Sequence, residues 1–584
     1  MSKSISMKPL SGFSFNFLVL FVSIYILGVF LRLYQISGQI LLDDEWHALN
    51  FAIGHSLGYI LSHFSRTGAN IIPINAYVRM LLISTGWSEI LLVLPSILAG
   101  IAALIVSPLI VRRYFGSRVS LLFAFMMAIS PMLIFYSRVC RPYAIYMLFG
   151  LICIWLFYEW TRTGNGRYGL LYVGFSVLCI YFHFAGVIFV FAPLGCAVLV
   201  KLLKEVFSFY GICDEIKPSF KKLFIAGIGI MACLALLIAL ALIQRLPALA
   251  SRPAQLSLES LKGFLQILSG TTNVPINILF YIFLGIGMQR LFRKSILLLA
   301  IFISVFLAYA TAILIIRVNF AHVPLVLARY AIPGFPLAFV LTALGMDSLW
   351  KMTQGFFPKL NKTTNALLTA GTLMFLFALL WTGPLRQTYA TPNNFTSHSA
   401  FQESYAPMNW NHPRSSDMIR KSYTVNKENV PVFYKTLADN NNAQKIIEYP
   451  LFLGNHYNPF YYYQHFHGKK VAAGYTLAVK DKTDNMNRGV HASMFADQVL
   501  SRVDDPDRLK FRNLVNILDM AAVKNSQADF VVLHKNIFSE IFDYREGENG
   551  KDFPIIVAIN RVYKKIFGSP SFEGQDLVVY KVRD

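Results

Sequence analysis

The chain has 584 residues, of which 55% are hydrophobic, 15% aromatic and only 14% charged. Its mean hydropathy is +0.50, a composition that belongs to an integral membrane protein and excludes an ordinary soluble domain. Lys and Arg number 53 against 31 Asp and Glu, a net charge of +22, but the cations sit in short loops between apolar runs, so membrane orientation and anionic lipid headgroups account for them and nucleic acid is not an expected partner.

Residues 15–33 form an apolar run close to the roughly 20 residues that a bilayer requires. No small-residue cleavage site follows it, so it reads as a retained anchor and not as a signal peptide. Directly after it stand Asp43, Asp44 and Glu45, three acids in a row in an acid-poor chain, followed by Trp46 and His47. One reading is a solvated turn. The other is a catalytic or cation-binding carboxylate site, because ionisable groups at a membrane border tend to be functional. Residues 71–84 are too short to span and contain Pro73, Asn75 and Arg79, so they are expected to lie along the outer interface as an amphipathic segment.

Further spans are expected near 89–111, 119–136, 143–160, 168–182, 184–203, 223–243, 275–289, 295–316, 330–349 and 364–382, about eleven in all with the first. Lys3 and Lys8, then Arg112, Arg113 and Arg118, then Arg162 and Arg167, then Lys201 to Lys222, then Arg290, Arg293 and Lys294, then Lys351, Lys359 and Lys362 fall in every second connection. By the positive-inside rule those loops are cytoplasmic and the acidic triplet is outside. The six cysteines, Cys140, Cys153, Cys179, Cys196, Cys213 and Cys233, all lie in the membrane half, so no disulfide framework holds the rest.

From Gly383 the chain turns polar. Residues 445–449, 530–533 and 577–580 read as short buried strands and 506–524 as a helix. The expected architecture is a polytopic α-helical membrane protein with about 11 spans over residues 1–382, whose first outer loop is 34–88, followed by an extracytoplasmic α/β domain over 383–584.

The outer loops also carry Arg138 and Arg141 within Tyr136-Ser137-Arg138-Val139-Cys140-Arg141-Pro142-Tyr143, His183 at a tight turn, and Arg317, His322 and Arg329-Tyr330 before the tenth span. Arginine in short outer loops runs against the positive-inside bias. Snorkelling to headgroups explains any single one; as a set they suit a phosphate, which the planar guanidinium binds as a bidentate fork. In the polar domain Tyr457, Tyr461, Tyr462, Tyr463, His465 and His467 crowd one stretch. They are either core aromatics or a surface that stacks on sugar rings.

Several of these motifs occur together in a known superfamily. Leu42-Asp43-Asp44-Glu45-Trp46 resembles the acidic first-loop motif of the GT-C membrane glycosyltransferases. Ile72-Pro73, Gly86-Trp87-Ser88-Glu89 with Leu94-Pro95-Ser96, Ser130-Pro131, Tyr136-Ser137-Arg138 and Arg141-Pro142-Tyr143 follow in the matching order. Arg329-Tyr330-Ala331-Ile332-Pro333 with Pro336 is similar to the superfamily's later Arg-Tyr motif. The nearest branch is the bacterial one akin to protein O-mannosyltransferases and aminoarabinose transferases. The match covers roughly residues 15–350, and Ile72-Pro73 stands where that branch usually has two prolines. The resemblance implies a multi-pass protein of the bacterial inner membrane that moves a sugar from a polyprenyl-phosphate donor to a glycan, lipid or protein acceptor on the outer face. It implies Asp44 as general base, with Asp43 as the rival and Glu45 orienting the base or holding the acceptor. It also implies Arg141 and Arg329 on the donor phosphate, with Arg138, Tyr143, Tyr330 and His183 behind them, and inversion at the anomeric carbon. Tyr461, Tyr463 and His465 are the acceptor-binding candidates. No cofactor is expected; a divalent metal bridging Asp43 and Asp44 to phosphate is the alternative. Two other classes compete: a transporter or flippase of a lipid-linked sugar, and a non-catalytic sugar-lipid binding protein.

The topology is directly testable. A reporter fused after Trp381 should be active only outside the cytoplasm, and one fused at Phe115 only inside; the reverse at either site would move the acidic triplet to the wrong face.

Overall fold

The computed structural model describes residues 15–34, 36, 45, 51–52, 55–64, 72–85, 88–207, 215–245, 258–316, 324–356, 361–383, 430–443, 445–449, 463, 466–467, 469–471, 528–535, 560, 563–575 and 577–582. Helices dominate the first 383 residues. In chain order they are α1 (Phe15–Leu33), α2 (Leu57–Ser62), α3 (Ile72–Ser84), α4 (Glu89–Phe115), α5 (Ser117–Ile129), α6 (Pro131–Ser137), α7 (Tyr143–Thr163), α8 (Gly166–Phe182) and α9 (Gly186–Phe207). There follow α10 (Phe220–Arg245), α11 (Leu258–Ser269), α12 (Val274–Lys294), α13 (Ile296–Ile316), α14 (Pro324–Tyr330), α15 (Gly334–Phe356) and α16 (Asn361–Thr382).

Among the described residues seven helices (α1, α4, α7, α9, α10, α12 and α13) are long and apolar enough to cross a membrane, and α5 with α6 make an eighth if that bent pair is one span. The other three segments expected to span are the helices α8, α15 and α16. The chain is a multi-pass membrane protein. The short α3 is a helix of 13 residues, in keeping with its expected interfacial position. Lipid offers no hydrophobic drive between helices, so close backbone packing carries the association. At the α12–α15 crossing a Cβ on Gly287 would stand 1.8 Å from the Leu341 carbonyl oxygen, and one on Gly345 1.8 Å from that of Phe283. At the far end of the bundle from Arg141, buried Asp347 on α15 collects Arg290 of α12 at 2.5 Å, Lys351 at 2.8 Å and Arg118 at 3.6 Å.

The bend between α5 and α6 measures 59°, and its cause is local. Pro131 has no N–H, so the Met127 carbonyl loses its partner four residues on, and the ring disfavours helical backbone at Ser130. An orphaned carbonyl inside a bilayer costs several kcal/mol. Arg32, from the end of α1 and only 1% exposed, answers for it. Its Nη2 donates to the Met127 carbonyl (3.2 Å), its Nη1 to those of Ala128 (3.3 Å) and Gly28 (2.9 Å), and its Nε to Ser137 Oγ (3.3 Å). Gly100 on α4 makes room, since a Cβ there would come within 2.1 Å of Ser137 Oγ. Arg138, also 1% exposed, returns the contact: its Nη1 donates to the carbonyls of Arg32 (3.2 Å) and Tyr34 (2.7 Å) at the frayed end of α1. Arg32 thus caps the broken end of α5, and Arg138, which closes α6, caps the end of α1.

Residues 430–582 contain α17 (Val432–Asp439) and five strands: β1 (Lys445–Tyr449), β2 (Lys470–Val471), β3 (Phe530–His534), β4 (Phe572–Glu573) and β5 (Leu577–Lys581). Their order in the sheet is β2-β1-β3-β5-β4, with β1 parallel to β2 and β3, and β5 antiparallel to β3 and β4. The three strands expected from sequence are β1, β3 and β5. The expected helix at 506–524 lies outside the described residues. Under the sheet Tyr434 Oη donates to the Glu448 carboxylate (3.0 and 2.9 Å), and His534 Nε2 lies 2.7 Å from Glu448 Oε2.

The capping contact sets a prediction. A hydrogen bond to a charged donor is worth about 1.5–3 kcal/mol, so Arg32→Leu should lower stability in detergent by on the order of 3 kcal/mol. Pro131→Ala restores an N–H for the Met127 carbonyl, and the double variant should therefore lose less than the sum of the two single losses. Strict additivity in thermal unfolding would show that the two residues are not coupled.

Candidate functional site

The short loop between α6 and α7 is the hub. Its backbone is pinned from two sides: Ser96 Oγ on α4 donates to the Arg141 carbonyl (2.7 Å), and the Cys140 N–H donates to Glu45 Oε1 (2.6 Å). Glu45 is fully buried. Burial, and next the Glu45 carboxylate, push the Cys140 thiol well above its ordinary pKa, while Arg141 pulls it down. The acid and the arginine thus act on one thiol with opposite sign. Pro95 within α4, next to Ser96, belongs to the motif noted in the sequence.

His183 caps the end of α8, outside the spanning helices. It is 5% exposed, and its ring lies 4.8 Å from that of Tyr146 in a stacked arrangement, with Tyr143 at 5.3 Å and Tyr330 at 6.0 Å. The Ala185 N–H donates to Nδ1 (3.1 Å), so a neutral ring carries its proton on Nε2. Among the described residues Nε2 is buried with no protein partner. Burial first, then Arg141 and Arg329, lower the His183 pKa from 6.5 to about 3. The imidazole is therefore neutral at pH 7, held so first by burial and then by the two arginine charges.

Arg329 and Tyr330 close α14, and that end is held by hydroxyls: Tyr146 Oη donates to the Tyr330 carbonyl (2.6 Å) and Tyr309 Oη to that of Leu327 (2.8 Å). The Arg329 guanidinium lies over the Tyr330 ring at 5.2 Å. Segments nearly 190 residues apart in the chain, by the numbering of Arg141 and Arg329, meet around one histidine. Two arginines and an imidazole N–H donor, with Tyr143 and Tyr330 beside them, offer cationic and donor groups and suit an anion.

The structure brings together Arg141, Arg329, His183, Tyr143 and Tyr330, and it ties Glu45 to the same loop. It places Arg138 elsewhere, on the end of α1. Asp43, Asp44, Tyr461 and His465 fall outside the described residues, as do Arg317 and His322. Tyr463 is fully buried in the C-terminal domain, stacked on Tyr434 at 4.5 Å and parallel to His534 at 6.0 Å, so it lines an interior and not a surface. Among the described residues no group of three or more His, Cys, Asp or Glu is arranged to hold a metal. Sequence reading passed over Tyr146 and Arg32, and named Ser96 only within Leu94-Pro95-Ser96. Tyr146 lies one turn after Tyr143 on the same helix face, the one signal that pointed to it.

No family model and no curated protein matches the chain. Among solved structures it is similar over 97% of its length to ArnT from Cupriavidus metallidurans in the apo state (12% identity, 98% of that chain, TM-score 0.49). It is likewise similar to ArnT from the same organism bound to undecaprenyl phosphate (10% identity, 98% of this chain and 99% of that one, TM-score 0.49). A third similar structure is the archaeal oligosaccharyltransferase AglB from Archaeoglobus fulgidus, in complex with an inhibitory peptide and a dolichol-phosphate (12% identity, 89% of this chain and 70% of that one, TM-score 0.45).

His183 yields a pH prediction with a definite sign. Its folded pKa of about 3 lies below the ordinary 6.5, so the unfolded chain takes up a proton that the folded chain refuses. Stability is full above pH 6.5 and falls as pH drops towards 3. In His183→Gln the slope of unfolding free energy against pH should be shallower across that window and unchanged above pH 7. Identical slopes would mean that His183 titrates normally in the fold.

Proposed function

We propose that this chain transfers a sugar from a polyprenyl-phosphate donor to an acceptor hydroxyl or amine at the outer face of a bacterial inner membrane. One observation carries the reading: the buried His183 ring, with an Nε2 unmatched among the described residues, packs among Tyr143, Tyr146 and Tyr330, and the charges that bear on it are those of Arg141 and Arg329 from two other segments. Membrane-border cations gathered this way, beside a buried carboxylate that fixes the same loop, fit a lipid phosphate better than scattered headgroup contacts do.

The chemistry divides between two groups. Charge grows on the phosphate oxygen as the glycosidic bond breaks, and preorganised donors there are worth on the order of 3 kcal/mol each in the transition state. A departing phosphate needs no acid, whereas the acceptor must lose a proton to a base within hydrogen-bond reach. Asp44, the residue directly before Glu45 in the sequence, is the base in this reading, with Asp43 as rival. Glu45, engaged by the Cys140 N–H, positions that segment against the phosphate site. Attack opposite the phosphate inverts the anomeric carbon. The polar domain of residues 383–584 is extracytoplasmic in this reading and takes part in choosing the acceptor.

Asp44→Asn should lower transfer by about 10²-fold or more while donor binding persists. Arg141→Lys keeps the charge but loses the fork, and should also impair transfer. Normal turnover in Asp44→Asn with loss in Asp43→Asn would move the base by one residue; normal turnover in Asp44→Asn, Asp43→Asn and Arg141→Ala would end the enzymatic reading.

A further inference from the structure

Asn75 on α3 is 1% exposed, and among the described residues neither Oδ1 nor Nδ2 of its carboxamide has a hydrogen-bond partner. Burying both ends of an amide unmatched is costly, and an apolar side chain of the same shape would suit a merely structural position better. The surroundings are specific. Ile72, three residues before Asn75 and on the same side of the helix, packs in a small cluster with Tyr181 and Phe184, which flank His183. Val78, three residues after it, belongs to the apolar cluster that contains Cys140 and Ala144, which flank Arg141. Arg79, one turn on, donates through Nη1 to the Ala52 carbonyl (3.3 Å) and ties α3 to the segment that follows Glu45. The amide therefore sits on a helix whose flanking apolar residues share one cluster with Tyr181 and Phe184 and another with Cys140 and Ala144.

Its chemistry narrows the ligand. A phosphate would be repelled by the carbonyl oxygen, a cation by the amide N–H groups, and a prenyl chain would leave both unmatched. A neutral group that donates and accepts at once satisfies both ends, and adjacent hydroxyls on a sugar ring do so. We infer that Asn75 binds the hydroxyls of the sugar being transferred and helps to select which sugar the site accepts. The inference rests on the reading of the chain as a lipid-linked sugar transferase, in which the phosphate held by Arg141, Arg329 and His183 brings that sugar beside α3. Losing one such neutral pairing corresponds to about a tenfold change in affinity.

The test uses the full-length protein in detergent and short-chain polyprenyl phosphates carrying mannose, glucose, galactose, arabinose or aminoarabinose, with the bare polyprenyl phosphate as reference. The wild type should bind one sugar-lipid more tightly than the reference. Asn75→Leu should lose that preference by about tenfold, keep its affinity for the bare polyprenyl phosphate, and unfold at the same temperature or higher. Asn75→Ser, which leaves space at the site, is the second variant and should show the same loss. Arg141→Ala, measured alongside, should weaken all ligands together. If Asn75→Leu and Asn75→Ser keep the sugar preference, or if the wild type has none, the inference is wrong; a markedly lower unfolding temperature in Asn75→Leu assigns the amide a structural role and also overturns it. If Arg141→Ala instead binds every ligand normally, the transferase reading itself fails.

Discussion

A broken helix inside a membrane must find new partners for its backbone, and the break at Pro131 is met by Arg32. Without that side chain two carbonyls would face apolar surroundings. With it the bend is held, α6 turns away from α5, and the loop from Arg138 to Pro142 is delivered to a fixed place. Arg138 then satisfies carbonyls at the end of α1, the helix from which the acidic first loop departs. The reciprocal caps therefore fix two segments: the loop that carries Arg141 and the point from which the chain leads to Glu45.

Electrostatics explains why the rest is arranged as it is. Bringing two guanidiniums to one place at a membrane border is unfavourable unless something there prefers positive charge. The cost is contained by keeping the third group, His183, neutral and by building the wall from tyrosine rings. Rings contribute bulk and hydrogen-bond donors without net charge, and the Tyr146 and Tyr309 hydroxyls hold the backbone of α14 in place. The result is a site charged in advance for an anion, whose neutral imidazole can still donate one hydrogen bond.

Much of this was legible in the sequence, and the failures have physical causes. Apolar runs of spanning length marked nearly every helix, because the bilayer sets a length that composition reveals. That residues 72–84 form a helix too short to be counted among the spans was readable from the short length of the run and its polar residues. Arg141 and Arg329 stood out because arginines in loops expected to be outside oppose the orientation rule, and His183 because it falls at a tight turn. That same signal could not separate Arg138 from Arg141. Both are arginines three residues apart in one short loop, and only the fold gives one to the backbone of α1 and makes the other a charge that acts on His183. Arg32 was invisible for a related reason, since an arginine at the end of a span looks like a snorkelling anchor until the carbonyls freed by Pro131 are found beside it. Tyr463 sits in an aromatic-rich stretch that periodicity does not resolve into inside and outside; the stacking on Tyr434 does.

The central claim is that Arg141, Arg329 and His183 hold a lipid phosphate. Native mass spectrometry of the purified protein with polyprenyl phosphate and with the matching polyprenol, which differ only in the phosphate, tests it directly. The account predicts a one-to-one complex with the phosphate that the polyprenol does not form, and its loss in an Arg141→Ala/Arg329→Ala variant that remains folded. Equal retention of the two lipids by the wild type, or retention of the phosphate by the double variant, would contradict it.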